Sequence, residues 1–347
     1  MGDAKTNPPL NPPFVLAPRD ARGHKGTFGR VAVVGGCCAG VERMAGAPCL
    51  AGAGALRAGA GLVKVFLPEA LALACLATLP SAMAHALACD ERGAITIDAA
   101  LAGVSSALEW SDCTLVGPGL AIDAQRKACL AITRRAVLSR DAGPRGTRGG
   151  DGAPNATRPP TPVVLDADGL NALSELARER AQDGEPLGTL ARPCVLTPHP
   201  GECARLASAL GLDVDLTSDA GRLDAAQSLA QRLGCVVVLK GAGTVVADGS
   251  RAFVNATGSN ALATGGTGDV LGGVIAGLVA GLVKASGSTT TSDAPAGASA
   301  LFEPACVAVW AHGLASDRWR SAHGAQAGLL AMELAALIPG ALERARR

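Results

Sequence analysis

The stretch Thr264-Gly265-Gly266-Thr267-Gly268-Asp269 runs straight into Val270-Leu271-Gly272-Gly273-Val274-Ile275. Its glycines let the backbone turn tightly with successive N–H groups facing one way, and the apolar run that follows reads as a helix. The free N–H groups and the positive dipole end of that helix converge on the turn. That arrangement is an anion hole suited to a phosphoryl group, with Gly265, Gly266, Thr267 and Gly268 as the expected donors. An acid at its mouth repels phosphate, so Asp269 makes sense there as the base that takes a proton from an attacking hydroxyl. The plainer alternative is a Gly-rich turn with Asp269 as an ordinary helix cap.

Upstream, short apolar runs read as buried parallel strands: Val31–Val34, Leu62–Phe66, Thr114–Val116, Val163–Leu165, Cys194–Leu196, Val236–Leu239 and Thr244–Ala247. Stretches with helical spacing lie between most of them, among them Ala47–Ala58, Gln125–Leu138, Gly201–Leu210 and Asp224–Leu233. That alternation predicts a mostly parallel sheet covered on both faces. Two segments break it. Asp141–Pro162 is dense in Gly and Pro, and Ala285–Pro304 is rich in Ser, Thr, Gly and Ala. Both are expected to be flexible insertions into one domain spanning 19–347, behind a flexible tail over residues 1–18. Gly273, Gly277 and Gly281 repeat at four-residue spacing, which predicts a small-residue helix lying close against the sheet.

Several strand ends carry polar or Gly-rich turns. Val238-Leu239-Lys240-Gly241-Ala242-Gly243-Thr244 places Lys240 and a glycine loop where open α/β sheets bind ligands, although a tight hairpin with a solvated Lys240 reads equally well. No Walker A loop is present, since Gly-Lys-Ser/Thr before a helix is missing. Leu196-Thr197-Pro198-His199-Pro200-Gly201-Glu202 holds His199 between two prolines. Asp166, Asp168 and Asn171 leave the end of another strand, where acids hold Mg²⁺ through water or cap and brace the next helix. Gly117-Pro118-Gly119 is a further strand-end turn. The run Gly35-Gly36-Cys37-Cys38-Ala39-Gly40 lacks the Gly-x-Gly-x-x-Gly spacing, which disfavours a Rossmann oxidoreductase.

The bulk numbers narrow the classes. The 347 residues are 48% hydrophobic and carry a formal net charge of +1, so nothing in the balance attracts nucleic acid or anionic membrane broadly. Three Trp, five Phe and no Tyr leave little for base stacking. The eleven cysteines are scattered without a Cys-x-x-Cys pair and read as reduced thiols in small-residue packing. No signal peptide precedes the chain's first strand, and the apolar run Val270–Val283 is short for a membrane span. A cytoplasmic protein is expected.

These stretches occur in order from Arg19 to about Ile338, together with His24-Lys25-Gly26, Gly46-Ala47-Pro48, Leu56-Arg57-Ala58-Gly59-Ala60-Gly61, Asn255-Ala256-Thr257-Gly258 and His312-Gly313. The set resembles the ADP-dependent NAD(P)H-hydrate dehydratase family of the ribokinase-like superfamily. Sugar and vitamin kinases of that superfamily share only the glycines and the Asp, and a kinase of that kind is the alternative; a non-catalytic nucleotide-binding protein is a second. The resemblance implies a three-layer α/β/α sandwich that uses ADP and Mg²⁺ to dehydrate the (6S) hydrate of NADH or NADPH, releasing AMP and phosphate. It implies that Ala47, Gly119, His199 and Asp269 touch the hydrated cofactor. It implies that Lys240, Gly241, Ala242, Gly243, Thr244 and Gly268 hold the adenine nucleotide. It further implies a homo-oligomer, a tetramer, working beside a separate epimerase. The chain departs from the family pattern at Cys37, where Ser is usual, near Met44, where a Tyr is common, at Pro80-Ser81-Ala82, and at Ser259-Asn260.

Overall fold

The computed structural model describes residues 11–139, 159–286 and 297–346. The chain opens with β1 (Arg30–Val34), α1 (Gly46–Arg57), β2 (Leu62–Pro68), α2 (Ala72–Thr78), β3 (Met83–Leu87) and α3 (Ile97–Trp110). It continues with β4 (Cys113–Val116), α4 (Ile122–Thr133), β5 (Val163–Leu165), α5 (Asp168–Gln182), β6 (Cys194–Leu196), α6 (Pro200–Ala209) and α7 (Asp219–Leu233). It closes with β7 (Val236–Leu239), β8 (Val245–Ala247), β9 (Ala252–Val254), α8 (Thr267–Ser286), α9 (Phe302–His323) and α10 (Ala331–Arg344).

The strands form one sheet in the order β3-β2-β1-β4-β5-β6-β7-β8-β9. Every pair from β3 across to β7 is parallel, and β8 and β9 are added antiparallel. Parallel strands need helical crossovers, which here cover both faces. Val31 and Val33 of β1 pack into the layer of α1, α8, α9 and α10, while Ala32 and Val34 pack into the layer of α3 to α7. This is the expected three-layer α/β/α sandwich. The chain leaves β1 toward β2 on one side and returns to β4 on the other, so the sheet switches direction between β1 and β4, where open α/β sheets leave a crevice.

The four-residue glycine repeat does something different from what its spacing suggests. Gly273 and Gly277 of α8 pack on α1 rather than on the sheet, while Gly281 meets nothing among the described residues: a Cβ on Gly273 would run into Ala51 O, one on Gly277 would stand 2.8 Å from Ala55 O, and one on Gly54 would run into Val270 O. It is Gly272 that faces the sheet, over Leu115 of β4. Backbones this close leave no room for side chains, and α8 is thereby seated deep in the layer. By length and composition α8 and Ala298–His323 could each cross a membrane, but most of each is buried within this layer.

Other expectations change too. β3 and β9 were not expected: Met83–Leu87 lies at the sheet's edge, half exposed and without β-branched residues, so neither alternation nor an apolar run marks it. The helix expected over Gln125–Leu138 is α4 followed by a π-helical turn at Arg134–Leu138. The tail expected over 1–18 is anchored at its end, since Leu16 N donates to Ala345 O at 2.7 Å and Phe14 packs edge-on against Phe302. Residues 1–10 lie outside the described residues. Of the flexible segment expected over 285–304, Ala285 and Ser286 end α8 and 287–296 lie outside the described residues; Ala298–Leu301 form a 3₁₀ turn leading into α9, and Ser299 Oγ donates to Asp248 Oδ2 at 3.1 Å. Most of the insertion expected over 141–162 lies outside the described residues; at its end Thr161 Oγ1 donates to Leu108 O at 2.8 Å.

Candidate active site

Thr267 starts α8, and Gly265 and Gly266 form the turn that feeds it, so the helix begins where the apolar run predicted. Asp269 sits in its first turn. Burial, and then the negative charge of Asp166, push its carboxyl up to about 7, against the pull of Lys240. Lys240 leaves the end of β7 and turns inward. Its Nζ donates to Asp166 Oδ1 at 2.7 Å and stands 3.9 Å from Glu202 Oε2. Burial works against the ammonium, but Asp166 and Glu202 outweigh it and the pKa is raised. A Cβ on Gly268 would lie 3.8 Å from that Nζ, which brings the cation to the mouth of the helix.

His199 caps α6. Its Nδ1 accepts from Gly201 N at 3.0 Å and Glu202 N at 3.4 Å, while Glu202 Oε2 accepts from His199 N at 2.8 Å. With Nδ1 used as acceptor, Nε2 carries the proton of the neutral ring. Burial, then Lys240 and Arg205, lower the His199 pKa, so the ring stays neutral and offers Nε2–H as a donor. Burial raises Glu202 to about 7. On the far side of α8, His312 Nε2 stands 2.9 Å from Thr267 O; burial lowers this histidine to about 4, so the neutral ring donates there and ties the start of α8 to α9.

The other half of the site is made of backbone. Gly36 N donates to Pro118 O at 2.9 Å, which locks the loop after β1 to the loop after β4. Gly119 has φ +68, and a Cβ there would come within 3.2 Å of Ala47 Cβ and 3.3 Å of Met44 Cβ. Gln125, buried in α4, ties three loops: its Nε2 donates to Gly36 O and Leu120 O, and its Oε1 accepts from Ile95 N. A cleft of about 1270 Å³ opens beside these loops, between Cys38–Arg43, Asp90–Thr96 and Asp123–Ala128. Leu50, on α1 with Ala47, lies under Gly266.

The structure therefore brings Gly268, Lys240 and Asp269 together, with His199 linked to Lys240 through Glu202, and it places Ala47 and Gly119 side by side. Gly241, Ala242, Gly243 and Thr244 form the hairpin turn between β7 and β8, braced by Arg222, which donates to Ala242 O, and by Thr244 Oγ1 donating to Gly241 O at 2.8 Å. Asp168 braces rather than binds: its Oδ2 accepts from Ala121 N at 2.8 Å and its Oδ1 from Asn171 Nδ2 at 3.0 Å. Ala121 and Ala167, the non-glycine residues at positive φ among the described residues, flank this brace at φ +49 each, a strain of about 1–3 kcal/mol per residue. Glu202 and Thr197 carry weight that sequence reasoning did not assign. Both stand in the quoted Thr-Pro-His-Pro-Gly-Glu motif, but only the fold aims them at Asp166 and Lys240. The departure at Cys37 is accommodated, since its Sγ accepts from Ala39 N at 3.3 Å. Ser259 Oγ pairs with Ser316 Oγ at 2.7 Å, and Asn260 Nδ2 donates to Gln326 Oε1 at 2.9 Å.

Among the described residues no group of three or more His, Cys, Asp or Glu side chains could share a metal ion. Asp166 is already committed to Lys240 and to Thr197 Oγ1, the latter at 2.7 Å. These residues do not make a resident Mg²⁺ cage.

A helix N-terminus with a half-buried carboxyl and a half-buried ammonium, at the C-terminal ends of a mostly parallel sheet sandwiched by helices, is the arrangement of a ribokinase-like fold. A ribokinase-like superfamily protein from Enterococcus faecalis shares the fold at TM-score 0.66 and 23% identity, over 95% of this chain and 92% of that one. The family model for NAD(P)H-hydrate dehydratase matches residues 32–340, and the chain belongs to that family. It is 36% identical over 328 residues to an ADP-dependent (S)-NAD(P)H-hydrate dehydratase of Neisseria meningitidis, covering 93% of this chain and 88% of that protein. An ADP/ATP-dependent NAD(P)H-hydrate dehydratase of Bacillus subtilis, co-crystallised with ATP and Mg²⁺, superposes at TM-score 0.66 and 27% identity, covering 97% and 100% of the two chains. The chain also spans about half the length of bifunctional NAD(P)H-hydrate repair enzymes such as that of Escherichia coli. These matches favour the dehydratase over the sugar or vitamin kinase.

Proposed function

We propose that this chain removes water from the (6S) hydrate of NADH or NADPH at the expense of ADP, leaving the restored cofactor, AMP and phosphate. In enzyme terms it is a hydro-lyase that repairs nicotinamide nucleotides. The observation that carries the reading is Asp269, a half-buried carboxyl on the first turn of α8, poised near neutrality by burial and the charge of Asp166 against the pull of Lys240. A general base works best when its pKa lies near the working pH.

Asp269 takes the proton of the C6 hydroxyl. The oxygen attacks the terminal phosphoryl of ADP, the bond to AMP breaks, and the Gly265–Gly268 amides and the Lys240 ammonium meet the developing charge. Phosphate then leaves C6 with the bonding pair, pushed by the lone pair of the ring nitrogen, and loss of a proton from the neighbouring carbon restores the ring. His199 Nε2–H serves as donor to the substrate, with Ala47 and Gly119 shaping the space for the nicotinamide. The hairpin Gly241–Thr244 takes the adenylate. Mg²⁺ enters on the nucleotide phosphates, as part of the substrate.

The expectations of a homo-oligomer, a tetramer by resemblance, and of a separate epimerase belong to this proposal. So does a cytoplasmic setting, which the eleven free cysteines suit. The test is phosphate release from ADP on adding hydrated NADH, with AMP formed one for one. Turnover with ATP and none with ADP, or a stable phosphorylated product, would overturn it.

A further inference from the structure

Three carboxyls compete for one ammonium in this site. Asp166 at the end of β5, Glu202 on α6 and Asp269 on α8 all act on Lys240, and Asp166 holds it, at 2.7 Å. Asp166 is 2% exposed and is itself oriented, because the same Oδ1 accepts from Thr197 Oγ1 at 2.7 Å. Its other oxygen lies toward α8, 3.5 Å from where a Cβ on Gly272 would stand. So Asp166 has its cation on one side and the helix that bears Asp269 on the other.

We propose that Asp166 is a positioning residue for the reaction: by drawing the Lys240 ammonium into a tight pair at the end of β5, it keeps that cation beside the Asp269 carboxyl without letting it pair with it. The ammonium then stands where a phosphoryl group arrives, and Asp269 stays free to accept a proton. Without Asp166, Lys240 is left to Glu202, already 3.9 Å away, and to Asp269, and more of its charge falls on Asp269. The inference rests on the dehydratase reading for its consequence but not for its geometry.

The charged and titratable groups around this centre are Asp166, Lys240, Glu202 with its neighbours His199 and Arg205, and His312. Asp166→Asn removes a negative charge near Asp269 and leaves the Lys240 charge to be shared between Glu202 and Asp269, and both changes lower the Asp269 pKa. The acid limb of the kcat profile should move down by about one to three units. Plateau kcat should fall by roughly ten- to a hundredfold, since a weaker base accepts the proton less well. KM for ADP should change far less than kcat. Asp166→Glu keeps the charge and should return the limb toward its original pH.

Glu202 titrates in the same range, so the profile is repeated in Glu202→Gln, where a limb owed to Asp269 survives and still moves on adding Asp166→Asn. Thr197→Val keeps the ion pair but loosens it and should give a smaller shift of the same sign, which serves if Asp166→Asn does not fold. The same shift is read without turnover by titrating ¹³C-carboxyl aspartate, with the Asp269 signal assigned by its loss in Asp269→Asn. An unmoved Asp269 titration in folded Asp166→Asn overturns the inference, whatever the activity. Absence of ADP-driven dehydration in the unaltered protein, with the titration shift intact, overturns the functional reading and leaves the inference standing.

Discussion

Asp269, Lys240, Asp166 and Glu202 meet on one side of the site as four ionisable side chains, while Ala47, Gly119 and Gly36 meet on the other with no charge among them. The charged side is held by mutual attraction in a poorly solvated space, so each group's state depends on the others. The other side is held by main-chain bonds and by the lack of side chains, as in Gly36 N to Pro118 O and the narrow gap between Gly119 and Ala47. The two sides therefore fail in different ways. Substitutions on the charged side should change protonation and rate; substitutions on the backbone side should change shape and substrate fit.

The largest effect should come from Asp269→Asn, which keeps the shape and removes proton acceptance. Turnover should fall by about 10²–10⁴-fold. ADP binding should survive or tighten. Stability tests the same carboxyl with the opposite sign. Its pKa in the folded protein, about 7, lies above the ordinary carboxylate value of 3.8, so the folded state holds this proton more tightly than the unfolded chain does. The stability this confers is complete below the ordinary value and is lost as pH rises through about 7. Asp269→Asn should thus melt higher than the unaltered protein at pH 8, with the gap closing toward pH 4. A helix cap without catalytic duty would leave turnover near normal, since Asn caps nearly as well.

A smaller and differently placed effect is expected across the site. Gly119→Val adds an isopropyl group toward Ala47 and Met44 and forces φ +68 on a β-branched residue. Stability should fall by about 1–3 kcal/mol. KM for the hydrated cofactor should rise while KM for ADP holds. A rise in both would mean that the two sides are one mechanical unit, through Leu50 under Gly266, and the contrast drawn above would not survive it.

The smallest effect should follow from shortening the Gly- and Pro-rich insertion. Thr161 is bonded to Leu108 O and Pro162 O accepts from Thr114 N, so the cut belongs within 141–158 and leaves 159–162 to lead into β5. Halving a flexible loop changes closure by only about 0.6 kcal/mol. Phosphate release and melting temperature should both stay close to those of the full chain, and a loss of turnover above about tenfold in a folded variant would assign the segment a role in one of the two sides.

The sequence by itself determined seven of the sheet's nine strands. Apolar runs such as Val236–Leu239 are buried on both faces and so need no partner to be recognised. The Thr-Gly-Gly-Thr-Gly-Asp turn also reads locally, because tight turning and helix initiation are properties of neighbouring residues. Edge strand β3 was not legible, since its half-exposed Met-Ala-His-Ala-Leu becomes a strand only by pairing with β2. Nor was the glycine stripe's true partner, because a small-residue face marks a close approach without saying to what. The division of Lys240 among Asp166, Glu202 and Asp269 was least legible of all. Those four residues are far apart in the chain, and which carboxyl holds the ammonium depends on distances and burial that only the packed sheet and α8 set.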